Sequence, residues 1–145
     1  MKIKTLVAVL LLSGGVTSTF AQSDCNANSS ISHEAVRAKN FKDAYAPCMA
    51  VLKDCPTLRY YTYTDAQKIL TGLMSQIKDR NSAEYKKLFD ELMAVHDQKM
   101  KYIPEFASKM KGVPSVASAL GTKAVDYLQY LSLIHISEPT RLALI

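Results

Sequence analysis

Cys25, Cys48 and Cys55, the histidines His33 and His96, and the run Tyr60, Tyr61 and Tyr63 are the side chains whose types could do more than pack. Thiols can bridge or attack, imidazoles can ligate a metal or move a proton, and phenol rings can stack on a sugar or a peptide. A metal site on helices wants ligands at i and i+3 or i+4. Neither histidine has one there, since Glu34 and Asp97 are only the adjacent residues and leave the helix in another direction. His96 shares a helical face with Tyr85, Leu88 and Leu92, the ordinary setting of a histidine at a core boundary. The chain carries no G-x-S-x-G elbow, no phosphate-binding loop and no Gly-rich dinucleotide fingerprint. Carboxylates such as Glu84, Asp90 and Glu91 fall on polar helix faces, and their spacing selects no acid–base pair. The expectation is a protein without catalytic or metal-ligating residues and without a cofactor.

What positions these groups begins with the N-terminus. Lys2 and Lys4 precede the apolar run Leu6 to Leu12, followed by Gly14-Gly15, a polar stretch, and Thr19 and Ala21 around Phe20. This is the layout of a secretory signal peptide over residues 1–21, with cleavage after Ala21. Its apolar core is too short for a stable membrane anchor. The reading implies a periplasmic or secreted protein, an oxidising setting for the cysteines.

The formal charge of +5 says little about partners once the leader is set aside. Taking Lys2, Lys4 and Arg141 from the basic total of 18, and Glu138 from the acidic total of 13, leaves +3 between Gln22 and Tyr130. The lysines are scattered among acids, as in Lys86-Lys87 beside Glu84 and Asp90-Glu91, so no nucleic-acid stripe is formed.

Residues 22–130 are rich in Leu, Met, Ala, Lys and Glu, and their apolar spacing predicts an all-α domain of five helices. The first covers about Asn28 to Ala38. The second, from Asn40 to Asp54, has Asn40 and Asp43 as a capping signal and Pro47 inside it, where a kink is expected. The third begins at Thr64, which forms a T-x-x-Q capping box with Gln67, and runs through Ile77. The fourth opens at Asn81 and Glu84 and stops at Pro104. The fifth follows Gly112 and Pro114 and reaches Tyr130. Short breaks between helices of this length favour antiparallel neighbours, and therefore stacked hairpins.

If the first two helices form such a hairpin, Cys25 before the first and Cys55 after the second meet. Cys48 lies about 10 Å along the helix from Cys55, too far for a bridge. A Cys25–Cys55 disulfide is predicted, with Cys48 a small buried hydrophobe.

The stretch "AVRAKNFKDAYAPCMAVLKDCP" resembles the tetratricopeptide repeat (TPR). Phe41 matches the motif's aromatic after the turn, Ala44 its small close-approach residue, Pro56 its closing proline, and Ile31 takes the place of its buried leucine. Ser32, Cys48 and Val51 depart from it. The resemblance implies a TPR-like α-solenoid of antiparallel hairpins, and a surface that binds protein or peptide segments. The leader together with "C…AKNFKDAY…CPTL" is similar to exported TPR proteins of Gram-negative bacteria. On this reading the chain is a non-catalytic interaction or scaffolding module of the cell envelope. The competing expectation is a carbohydrate- or peptide-binding module of a nutrient-uptake system that uses Tyr60, Tyr61 and Tyr63 as an exposed platform.

The final residues, 131–145, break the pattern. "LSLIHISEPTR" resembles the translation of a transposase adapter used in short-read library preparation, over eleven consecutive residues. The sequence therefore predicts a truncated helical array that ends near Tyr130 and is followed by foreign sequence, with Leu120, Tyr127 and Leu128 left exposed.

Overall fold

The computed structural model describes residues 17–136, with side chains over 24–131. Residues 1–16, most of the signal peptide expected over 1–21, and residues 137–145, most of the foreign tail expected over 131–145, lie outside the described residues. Five helices make up the structure: α1 Thr17–Arg37, α2 Phe41–Asp54, α3 Tyr61–Gln76, α4 Ala83–Lys109 and α5 Val116–Ile136. No strand occurs among the described residues. None of their helices is long and apolar enough to cross a membrane.

Each helix packs on the next, and α1 also touches α3. The pairings show the direction of travel. Cys48 of α2 reaches the Thr62 carbonyl near the start of α3 while Phe41 lies over Gly72 near its end, so α2 and α3 are antiparallel. Ser29 meets Tyr61 and His33 meets Asp65, which makes α1 and α3 parallel neighbours. The disulfide joins Cys25 and Cys55, with Cα atoms 6.3 Å apart, and ties the open end of the α1–α2 hairpin.

Local chemistry sets the helix ends. α1 closes on Lys39, whose left-handed φ of 57° lets its N–H reach the Val36 carbonyl while the Asn40 N–H reaches that of Ala35. The Asn40 side chain then accepts from the Asp43 N–H and starts α2, as its spacing suggested. Ser82, rather than Asn81, caps α4 by accepting from the Tyr85 N–H at 3.2 Å. Replacing it with alanine (Ser82→Ala) is expected to lower stability by about 1 kcal/mol, read as a shift in the urea midpoint at constant slope.

Several boundaries differ from expectation: α1 begins at Thr17 rather than about Asn28, and α5 runs on to Ile136 rather than ending at Tyr130. α3 starts at Tyr61 instead of Thr64, and the predicted capping box does not form: the Thr64 hydroxyl donates to the Tyr61 carbonyl at 2.7 Å, while Gln67 bonds to His96. α4 runs through Pro104 to Lys109 instead of stopping there. The reason lies two residues on, where Phe106, 3% exposed, sets its ring edge-on to Tyr60 and Tyr63 at 5.5 and 6.1 Å. Burying a side chain of that size contributes about 1.5–3 kcal/mol, comparable with the roughly 3 kcal/mol that an internal proline costs. α2 likewise continues through Pro47.

The core lies between α2, α3 and α4, where Ala44, Cys48, Ile69, Leu70 and Leu92 are wholly buried. Ile31 is not part of it. At 56% exposed it faces outward, and α1 instead turns in the stripe Cys25, Ser29, Ser32 and Val36. Those four follow the i, i+4, i+7, i+11 spacing of one helix face, and Ile31 lies off it. α5 docks through an equally narrow stripe, Ala119, Lys123, Asp126 and Tyr130, while Leu120, Val125 and Leu128 are exposed. Its backbone continues as helix to Ile136, past Tyr130.

Candidate functional site

The polar stripe of α1 meets α3 in a seam of hydrogen bonds. Arg59 in the turn before α3 donates to the Tyr61 hydroxyl and, at 3.2 Å, to Asn26. Tyr61 in turn lies 3.3 Å from the Ser29 hydroxyl. Asp65, only 2% exposed, pairs with His33 Nδ1 at 2.7 Å, and the His33 ring lies tilted by 44° against that of Tyr61, with centres 4.7 Å apart. Cys48 lies on the inner side of this seam, its thiol directed at the Thr62 carbonyl. Burial, reinforced by the charge of Asp65, pushes that thiol up to about 12, so at neutral pH it is neither a nucleophile nor a ligand.

The His33–Asp65 pair opens onto a groove of about 430 Å³. Val36 and Phe41 form its apolar part, Arg37, Lys39 and Lys68 its basic rim, and Tyr130 of α5 closes one side. Phe41 is held there by the bare backbone of Gly72, where a Cβ would run into the ring. Ala44 is wholly buried one turn along α2. Pro56 lies in the turn beyond α2, where its carbonyl accepts from the Tyr63 hydroxyl at 2.8 Å.

A second histidine couple joins three helices. His96 on α4 is 1% exposed; its Nε2 lies 2.8 Å from Asp126 of α5, and its Nδ1 lies 3.0 Å from the amide nitrogen of Gln67 on α3. The neutral tautomer with its proton on Nε2 satisfies both contacts. Burial pulls this imidazole below its ordinary pKa, the hydrogen bond and charge of Asp126 oppose that, and Lys99 and Lys123 add to it. Lys99 itself is 7% exposed, its ammonium 5.3 Å from the centre of the Tyr60 ring, and burial lowers its pKa too.

The tyrosine platform expected from sequence does not form. Tyr63 is wholly buried, and burial raises its phenol pKa. Tyr60 leans on Phe106 and Tyr61 on His33, because consecutive helical positions diverge by about 100°. Tyr60, Tyr61 and Phe106 do border a separate cleft of about 370 Å³ with Arg59 and Met110.

The two carboxylate partners were not found by sequence reasoning. Each lies 30 to 32 residues from its histidine, about one helical hairpin, whereas the search for partners covered only neighbouring turns of the same helix. Among the described residues no cluster of three or more His, Cys, Asp or Glu side chains is placed to hold a metal ion. Comparison with protein-family models, with curated proteins and with solved structures gives no match to this chain.

Proposed function

We propose that residues 22–130 form a TPR-like, exported interaction module of the cell envelope, which holds a segment of a partner protein in the groove between α1 and α3. The observation that carries this reading is the groove itself. Its apolar floor at Val36 and Phe41 and its basic rim at Arg37, Lys39 and Lys68 suit an extended segment with apolar and acidic side chains. Support for the repeat architecture comes from the parallel placement of α1 and α3 with α2 turned back between them, as in stacked hairpins. The uncovered apolar residues of α5 suit a surface on which another helix stacks.

The cleft beside Tyr60, Tyr61 and Phe106 favours a second reading, carbohydrate binding by ring stacking. Two variants of the full chain separate the readings. The double change Arg37→Glu and Lys68→Glu is expected to weaken capture of envelope proteins about tenfold or more and to leave glycan-array binding untouched. Tyr61→Ala losing a glycan signal, with protein capture intact, would favour the carbohydrate reading instead. Sequencing the source gene past the Tyr130 codon with a different library adapter tests whether residues 131–145 belong to it.

A further inference from the structure

α5 is an amphipathic helix turned the wrong way round. Its only two charged residues among 116–131, Lys123 and Asp126, lie on the stripe that faces α4, while Leu120, Val125 and Leu128 point away from the body. What fastens α5 is therefore largely polar: Lys123 to Asp97 and Asp126 to His96. The apolar share is small, chiefly Ala119, the flank of Leu131 and the tilted pair Phe89–Tyr127, with ring centres 5.7 Å apart.

We propose that α5 is an acid-released arm, latched by neutral His96 and set free when that imidazole takes up a proton. The surroundings of His96 on every packed element argue for it. From α3 the ring meets the uncharged amide of Gln67, which donates to Nδ1, the atom that a second proton would occupy. On α4 the Lys99 ammonium is already buried one turn on, over the Tyr60 ring, and Asp97 is engaged by Lys123. From α5 come Asp126, whose carboxylate already accepts from Nε2, and the Lys123 ammonium, with Tyr130 close to Asp126. A protonated ring in this site is 1% exposed, has the Asp126 carboxylate on one side and the buried Lys99 ammonium and the Lys123–Asp97 pair nearby, and meets a donor at its new N–H unless Gln67 turns over. Undocking α5 opens the ring to solvent. The released state thus binds the proton more readily, so docking is full above the free imidazole value of about 6.5 and is lost as pH falls through it.

Amide hydrogen exchange of the full chain, corrected for the intrinsic rate at each pH, tests the latch. Protection of α5 is expected to fall by up to about tenfold between pH 7.5 and 5.5, the ceiling set by an imidazole of ordinary free pKa. α2, held by the disulfide and the core, should keep its protection. His96→Gln, which can still donate to Asp126 but cannot charge, should hold α5 protection level across that range. A wild-type α5 that loosens only near pH 4, where carboxylates titrate, overturns the proposal without reference to any variant. So does an equal loss in His96→Gln, or a parallel loss in α2.

Discussion

Reducing the Cys25–Cys55 bridge lowers the stability of this fold by about 3–4 kcal/mol. The bridge closes a loop of 30 residues, and opening it returns that loop's conformational entropy to the unfolded chain. A domain of this size is held by only about 5–15 kcal/mol in total, so the loss removes a large fraction. α1 feels it most, because its inward stripe offers Ser29 and Ser32 where an ordinary core helix would offer large apolar groups. Urea unfolding of the full chain with and without a reductant, beside the double change Cys25→Ser and Cys55→Ser, measures the effect. While the chain is folded, the buried Cys48 thiol stays protonated and does not exchange with the bridge. A reduced protein as stable as the oxidised one would mean that the α1–α3 seam alone secures the first hairpin.

The second large effect sets helix propensity against packing. Gly72 lies inside α3, where alanine would ordinarily stabilise the helix by about 1 kcal/mol. Here the added methyl would meet the Phe41 ring well inside contact distance, including its Cγ at 2.8 Å. A ring carbon next to the backbone cannot move aside as the end of a long side chain can, so α2 or the ring must shift. Gly72→Ala is therefore expected to destabilise by about 1–3 kcal/mol. Phe41→Leu in the same chain should recover much of that loss, and the non-additivity of the pair, read by urea unfolding, is the signature of direct contact. If Gly72→Ala is neutral by itself, Phe41 is free to leave the groove.

The parts of the fold that were legible in the sequence are those written in local spacing. Five helices, the Asn40 cap and the cysteine pairing follow from periodicity, capping chemistry and the return of a hairpin. Pro104 was misread because a local rule for stopping a helix was outweighed by Phe106, whose burial depends on Tyr60 and Tyr63 more than forty residues earlier. Ile31, which the repeat motif places at a buried leucine, faces outward, because α1 turns inward the hydroxyls that reach Tyr61 and the Ser29 carbonyl. Nothing in local spacing singles out Asp65 and Asp126 as the partners of histidines. Their partners are on other helices, and only the order in which the helices stack brings them together. The tyrosine run shows the opposite error, in which proximity along the chain suggested a shared surface that helical geometry then divided.

The disulfide also decides how the molecule answers a mechanical load. A chain pulled from its ends loses helices from the outside inward, and each freed residue adds at most about 3.3–3.6 Å of length. With Cys25 tied to Cys55, the 30 residues of the first hairpin cannot be paid out at all. Roughly 100 Å of contour stays hidden behind the covalent link, so force applied at the N-terminus passes across the bridge directly into the turn before α3. Apart from the residues before Cys25, extension must come from beyond Cys55, and the hairpin that carries His33 and Phe41 keeps its loop closed while the rest of the chain is drawn out.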